Sequence, residues 1–145
     1  MPFFAATHQV VAIDLAGHGD SGINRENWSM ANFGADVAAV AHALQLEDII
    51  LVGHSMGGQV ALEAARVLKG RVKMVIGADT LSDVSLRYAD AQLAAMLAAM
   101  EADFPGTVDE MVRSSFFLPT SDPALIDQIA RDMSAAPPAA GIGSL

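Results

Sequence analysis

The chain has 145 residues, and 52% of them are hydrophobic, which is ample apolar material for the core of one folded domain. Seventeen acidic residues against eight basic ones give a formal net charge of −9, and no stretch gathers the Lys and Arg that binding to a nucleic-acid backbone requires. The absence of cysteine excludes disulfides and thiolate metal sites. We therefore expect a folded, acidic protein that does not bind nucleic acid.

The first eight residues contain a short apolar run with no basic residue before it and no cleavage pattern, so they do not predict a signal peptide. No window approaches the roughly 18 uninterrupted apolar residues of a membrane-spanning helix. The histidines and carboxylates show no ligand spacing such as His-Glu-x-x-His. These features predict a cytoplasmic location, no membrane partner, no metal and no cofactor.

Three short runs rich in β-branched residues predict the strands. They are residues 9–14 (QVVAID), 48–53 (DIILVG) and 72–78 (VKMVIGA). Each run is nearly continuous in apolar character, as is typical of parallel strands that are covered on both faces.

The segments between these runs have helical periodicity. Residues 29–45 predict a helix with Ser29 as its N-cap, and residues 56–69 predict a second helix that Gly70 caps at its C-terminus. The predicted buried faces are Val37, Val40, Ala41 and Leu44 in the first helix and Val60, Ala64, Val67 and Leu68 in the second. The alternation βαβαβ predicts a parallel sheet with right-handed crossovers.

After Ala78 no run predicts a strand, and three helical segments follow. Thr107 with Glu110 predicts a capping box for the second of them, and Asp122 followed by Pro123 predicts the start of the third. The third is expected to end at the breaker 135–138, after which no pattern continues. The first segment carries one apolar stripe, which we interpret as a packing face: Leu86, Leu93, Met96, Leu97 and Met100.

A Gly-X-Ser-X-Gly pattern at residues 53–57 follows a predicted strand directly and opens a predicted helix. Such a sharp turn would lift the Ser55 hydroxyl clear of the sheet, and the N–H of Met56 is the expected oxyanion donor. We expect Gly53 and Gly57 to leave room in the strained turn and Gly58 to let the helix lie close to the sheet. A phosphate-binding turn is the alternative, but the sequence contains neither Gly-x-Gly-x-x-Gly nor a P-loop Lys.

Two stretches resemble the α/β-hydrolase superfamily. Residues 11–21 are similar to the family's fourth strand and its Asp-x-x-Gly-His-Gly-x-Ser loop, and residues 53–58 (GHSMGG) are similar to its nucleophile elbow. The resemblance implies an α/β fold: a partial hydrolase core with three predicted parallel strands and flanking helices in residues 1–83. Residues 84–145 would form a helical segment that resembles the family's cap domain.

The family resemblance implies a triad in the order Ser, Asp or Glu, then His, but no His follows Ser55. Asp79 matches an acid position of some members, although a loop or helix-cap role explains an Asp there equally well. Among the upstream histidines only His18 is a candidate base, and the resemblance assigns that residue to structure. The other three histidines are expected to lie outside the site.

The family's His-Gly oxyanion motif and the strand that bears it have no counterpart in the sequence. In the family that strand lies between those corresponding to residues 9–14 and 48–53, so its absence would leave backbone groups unpaired. Either the two strands pair directly, or a partner fills the gap. We interpret the chain as a truncated or split segment of a hydrolase.

Two functions are compatible with these observations. The first is a serine hydrolase that attacks an ester or related acyl bond of a small molecule through Ser55, with C–C cleavage as a related chemistry, and that is weak or inactive alone. An epoxide hydrolase is disfavoured because that branch generally places Asp at the elbow. The second is a non-catalytic assembly or binding module that self-associates through exposed strand edges.

Overall fold

The computed structural model describes residues 2–80, 85 and 89–144. The predicted boundary between residues 83 and 84 and the predicted stripe residue Leu86 lie outside these ranges. The elements run in the order α1 (Pro2–Ala5), α2 (Met30–Ala43), β1 (Ile49–His54), α3 (Met56–Leu68), a 3-10 turn (Lys69–Arg71), β2 (Val72–Ala78), α4 (Asp90–Ala102), α5 (Phe104–Ser115), α6 (Pro123–Ser134) and α7 (Pro138–Gly143).

The sheet has two parallel strands in the described part of the chain, β1 and β2. Its register pairs Ile50 with Met74 and continues to His54 opposite Ala78. The predicted strands at 48–53 and 72–78 are therefore confirmed within one residue. Helix α3 connects them as the expected crossover.

The predicted strand at residues 9–14 is wrong, because this segment has no regular secondary structure. A β-branched run becomes a strand only when a neighbouring backbone accepts and donates its hydrogen bonds, and neither β1 nor β2 pairs with it. Val10 and Val11 are consequently more than a third exposed. Direct pairing of 9–14 with β1, one of the two arrangements expected from sequence, does not occur.

Helix α2 begins where the sequence predicts, because the Ser29 side chain accepts a hydrogen bond from the N–H of Asn32. The helix lies tightly on α3: a Cβ at Gly34 would come within 2.8 Å of the Ala64 backbone nitrogen. The buried positions are Phe33, Gly34, Ala38 and Ala41 on α2 and Gly58, Val60, Ala61, Ala64 and Leu68 on α3. The expected faces are thus confirmed at Ala41, Val60, Ala64 and Leu68.

The predictions fail at the ends of both helices. Leu44, the C-cap residue of α2, is 46% exposed, and Val67, in the last turn of α3, is 49% exposed. Lys69, with a φ of 49°, is the C-cap of α3, whereas Gly70 lies inside the 3-10 turn. Helix α3 therefore ends one residue earlier than a glycine C-cap predicts.

The helical second half packs around its own cluster of buried side chains, and Met100 on α4 is part of it as the sequence predicts. Helix α5 begins earlier than expected: Asp103 caps it by accepting from the Gly106 N–H, while the Thr107 hydroxyl donates to the Ala99 carbonyl. The capping box predicted at Thr107 is therefore wrong. The members of the cluster are Met100, Phe104, Val108, Val112 and Ala130.

Helix α6 confirms its predicted start, since Asp122 accepts a hydrogen bond from Ala124 and Pro123 is the first helical residue. Arg113 on α5 donates to Asp109 and, on α6, to Asp127, and these hydrogen bonds raise the pKa of its guanidinium above the ordinary value. No helix in the described ranges has the length and apolar character needed to span a bilayer.

Helix α7 was not predicted, because residues 139–145 show no periodic pattern. Its fully buried Ala140 packs with Trp28, Phe33 and Val60 in a second cluster. A Cβ at Gly17 would lie 2.7 Å from both the Ala140 Cβ and the Trp28 ring. The helix therefore joins the C-terminal half of the chain to the loop that follows residues 9–14.

Candidate active site

The turn between β1 and α3 consists of one residue, Ser55. Its φ of 51° and ψ of −124° lie in a region that non-glycine residues rarely adopt and that costs about 1–3 kcal/mol. Two hydrogen bonds hold the residue there: its N–H donates to the Ala78 carbonyl at 3.1 Å, and its carbonyl accepts from the Gly58 N–H at 3.0 Å. The sheet and the helix thus fix the strained turn from both sides.

Ser55 occupies the N-cap position of α3 but does not cap the helix. Its side chain is exposed and makes no hydrogen bond with any residue that the structure describes. The N–H of Met56, the first residue of α3, likewise has no acceptor within the described ranges, as expected for the first turn of a helix. A hydroxyl and an unpaired backbone donor are therefore adjacent at the positive end of a helix dipole.

Two of the three glycines allow this geometry. A Cβ at Gly53 would overlap the Gly57 carbonyl and lie 2.6 Å from the Gly58 nitrogen. A Cβ at Gly58 would lie 2.8 Å from the Thr80 Cβ, which confirms the close approach expected there. A Cβ at Gly57 would meet nothing within 4 Å, so the prediction that Gly57 makes room in the turn is wrong.

Thr80 supports the turn, although no local sequence pattern points to it. A Cβ at Gly77 would be 2.7 Å from its Cγ2 methyl, and the same side chain faces Gly58. Thr80 therefore lies between the end of β2 and the first turn of α3. Thr80 lies two residues beyond the strand, and its contacts with Gly58 and Gly77 can be recognised only from the tertiary structure.

Asp79 follows β2 directly and has a φ of 47°. His54 pairs with Ala78 and the Ser55 N–H donates to the Ala78 carbonyl, so Ser55 and Asp79 directly follow the paired ends of the two strands. The Asp79 side chain is exposed and forms no ion pair or hydrogen bond with a described residue. The structure brings the two backbones together, but this carboxylate orients no histidine.

His18 is half-buried in the loop after residues 9–14. Its Nδ1 donates to the Ala16 carbonyl at 3.1 Å. The ring packs edge-on against Phe33, with centroids 6.2 Å apart. No hydrogen bond joins His18 to Ser55, and these contacts are those of a structural residue.

The other histidines also lack contact with Ser55. His8 bonds to the Thr7 hydroxyl, and His42 accepts from Arg71 at 2.7 Å. His54 is exposed on β1. In the part of the chain that the structure describes, no imidazole is therefore hydrogen-bonded to the Ser55 hydroxyl, and no group of three His, Asp or Glu side chains could hold a metal ion.

A shallow cleft of about 380 Å³ lies apart from the elbow, and its lining contains none of residues 53–58. Arg25 lines the cleft and forms a bidentate ion pair with Asp36, in which its two terminal guanidinium nitrogens donate to the carboxylate oxygens at 2.6 and 3.0 Å. The Arg25 guanidinium also stacks over Trp28 and Phe33, 5.9 and 5.4 Å from the ring centroids. Nothing in the local sequence pattern predicts this arrangement.

Known proteins resemble this chain in sequence. Residues 1–124 match the profile of a family described as having the α/β hydrolase fold. A non-heme chloroperoxidase of Streptomyces lividans is 39% identical over 75 residues, covering 51% of this chain and 27% of that protein. A non-heme haloperoxidase of Rhodococcus erythropolis is 43% identical over 70 residues, covering 48% and 26%.

Solved structures of other proteins resemble most of this chain in fold. A hydrolase from Oleispira antarctica superposes with a TM-score of 0.81 at 16% identity, over 98% of this chain and 56% of its own. A thermophilic esterase from Thermogutta terrifontis gives a TM-score of 0.72 at 27% identity, over 90% and 49%. The match thus spans about a quarter of the length of these curated relatives and about half of these solved chains.

Proposed function

Because the chain belongs to the α/β-hydrolase fold family, we propose that Ser55 is the nucleophile of a serine hydrolase that acts on an ester or related acyl bond of a small molecule. The observation that carries the proposal is the strained, exposed Ser55 between β1 and α3, beside the unpaired N–H of Met56. The nucleophile and the oxyanion donor act in the first step of acyl transfer, the attack on the acyl carbon.

In the proposed reaction the Ser55 Oγ attacks the acyl carbon while its proton passes to a base, and the carbonyl oxygen becomes an oxyanion. The Met56 N–H donates to that oxyanion; loss of one such donor typically lowers kcat about 10²–10³-fold. Collapse expels the alcohol, which takes up a proton, and leaves an acyl-serine that water hydrolyses. Cleavage of a C–C bond next to a carbonyl would use the same attack and a carbanion leaving group.

Among the described residues no base is hydrogen-bonded to Ser55, since neither His18 nor Asp79 forms a hydrogen bond to it. Hydrolases that have lost triad members still retain roughly 10³–10⁴-fold acceleration over water from the oxyanion hole and binding. We therefore expect this chain alone to react slowly, as a segment of a larger active site would. Asp79 is the nearest candidate for the acid, and His18 is a weaker candidate for the base.

A second proposal is a hydrolase-fold module that is not catalytic. It is favoured by one observation: none of the four histidines is hydrogen-bonded to the Ser55 hydroxyl in the structure. In this case the elbow serves as architecture that joins β1 to α3.

Labelling with a fluorophosphonate, read by intact mass, separates the two proposals. A serine hydrolase should gain one adduct that Ser55→Ala abolishes. Ser115→Ala should retain it, because Ser115 is also exposed but lies at the end of α5. A chain that circular dichroism shows to be folded and that takes up no adduct would contradict the first proposal and support the second.

A further inference from the structure

Two hydrogen-bond partners, which we call the anchors of the turn, hold Ser55 in its strained conformation. The Ser55 N–H donates to the Ala78 carbonyl at the end of β2, and the Ser55 carbonyl accepts from the Gly58 N–H in the first turn of α3. One anchor belongs to the sheet and the other to the helix. Both hydrogen bonds form together only at one separation of these two elements, so a side chain that packs between them controls the position of Ser55.

The Thr80 side chain packs between the two anchors. Its Cγ2 methyl lies against Gly58, where an added Cβ would overlap it, and against Gly77, where an added Cβ would come within 2.7 Å of it. Gly58 is itself one anchor, and Gly77 is the chain neighbour of the other anchor, Ala78. The methyl therefore separates the sheet from the helix at the two places that hold the serine.

Thr80 also stands next to a second strained residue. Asp79 has a φ of 47°, which lies in the left-handed region that few residues other than glycine adopt. The residue before it is fixed by the hydrogen bond from Ser55, and Thr80 after it is fixed by packing against the two glycines. A strained backbone persists only where its surroundings determine it. The packing of Thr80 therefore supports the strained conformations of both Ser55 and Asp79.

We propose that Thr80 is a positioning residue for the Ser55 nucleophile. Its methyl group sets the separation of β2 from the first turn of α3 and thereby aligns the Ser55 hydroxyl with the Met56 N–H. The role depends on shape, because the Thr80 hydroxyl forms no hydrogen bond with any residue that the structure describes. This inference rests on the proposed function, since it assigns how the reactive geometry of the serine is held.

Fluorophosphonate labelling of the full chain, resolved into the maximal rate kinact and the half-saturating concentration KI, tests the proposal. Thr80→Ser removes the methyl and should lower kinact about tenfold or more at unchanged KI, since a 1 Å displacement of a reacting group can cost about 100-fold in rate. Thr80→Val keeps the methyl and should keep kinact close to the wild-type value. Thr120→Ser is the matched control, because Thr120 is exposed between α5 and α6, and it should label as the wild type does.

Gly77→Ala provides a compensating change. Within the described residues the only side chain that its new methyl would approach is that of Thr80, so Gly77→Ala alone should displace Thr80 and lower kinact. The double variant Gly77→Ala/Thr80→Ser places one methyl group in the same space and should recover most of the lost rate. A residue that only stabilises the fold would change the denaturation midpoint and leave kinact of the folded protein unchanged, and that result would overturn the proposal.

The outcomes separate this inference from the proposed function. Circular dichroism establishes that each variant is folded at the temperature of labelling. If the wild type gains its adduct at Ser55 and Thr80→Ser labels equally fast, or if Thr120→Ser slows as much as Thr80→Ser, the positioning role is wrong and the proposed function stands. A folded wild type that takes up no adduct contradicts the proposed function and overturns this inference with it.

Discussion

Gly53 and Gly57 give the most specific prediction, because they hold equivalent positions in the Gly-X-Ser-X-Gly pattern but differ in the space around them. In Gly53→Ala the new methyl would overlap the Gly57 carbonyl and approach the Gly58 nitrogen to 2.6 Å. These atoms are backbone atoms of a hydrogen-bonded turn and cannot rotate away. Overpacking typically costs 1–3 kcal/mol, and we expect the upper end, about 3 kcal/mol.

Gly57→Ala should act in the opposite direction. Its methyl would meet nothing within 4 Å, and the backbone of Gly57 is not left-handed. Alanine at this helical position reduces the conformational entropy of the unfolded chain and should stabilise the fold by about 0.5 kcal/mol.

Urea unfolding followed by circular dichroism measures both effects. With an m-value of about 2 kcal/mol/M, the midpoint should fall by about 1.5 M for Gly53→Ala and rise by about 0.3 M for Gly57→Ala. Equal midpoints for the two variants, or a lower midpoint for Gly57→Ala than for Gly53→Ala, would refute the geometry assigned to the turn.

Three further predictions test the fold. Ser55→Gly and Lys69→Gly should each raise the free energy of unfolding by about 1 kcal/mol, because both residues have a φ near 50° and a ψ near −124°. Chemical denaturation measures this change, and a destabilised variant at either position would contradict the prediction. Phe33→Ala should destabilise the fold by about 3–5 kcal/mol because Phe33 is fully buried. Phe116→Ala should destabilise it by less than about 1 kcal/mol because Phe116 is 53% exposed. Similar losses of thermal stability in the two variants would count against the assigned core. Asp103→Ala should cost about 1 kcal/mol by removing the cap of α5, and an unchanged denaturation midpoint would show that the cap is not needed.

The elbow could be predicted from sequence because its causes are local. A strand, Ser55 and a helix follow one another within residues 49–68, and the Gly-X-Ser-X-Gly pattern at residues 53–57 marks the turn between the strand and the helix. The same local logic predicts the Ser29 and Asp122 caps, each of which contacts an N–H two or three residues away. Such features need no information about the rest of the fold.

The failures depend on distant residues. Residues 9–14 have the composition of a strand, but composition does not provide a partner, and within the described residues β1 and β2 pair only with each other. Thr107 has the sequence of a cap, yet Asp103 takes that role because Phe104, four residues before Val108, is buried in the same cluster. Thr80 was missed because its partners, Gly58 and Gly77, come from two different elements.

The contact between Ala140 and the Gly17 loop has a consequence for the order in which the chain folds. These residues are 123 positions apart (140 minus 17), and closing a loop of that length costs about 4 kcal/mol of chain entropy. The contacts of β1, α3 and β2 lie within 30 residues (49 to 78) and close at lower cost. On the ribosome the serine turn can therefore form early, while Trp28 stays uncovered until residue 140 has left the exit tunnel.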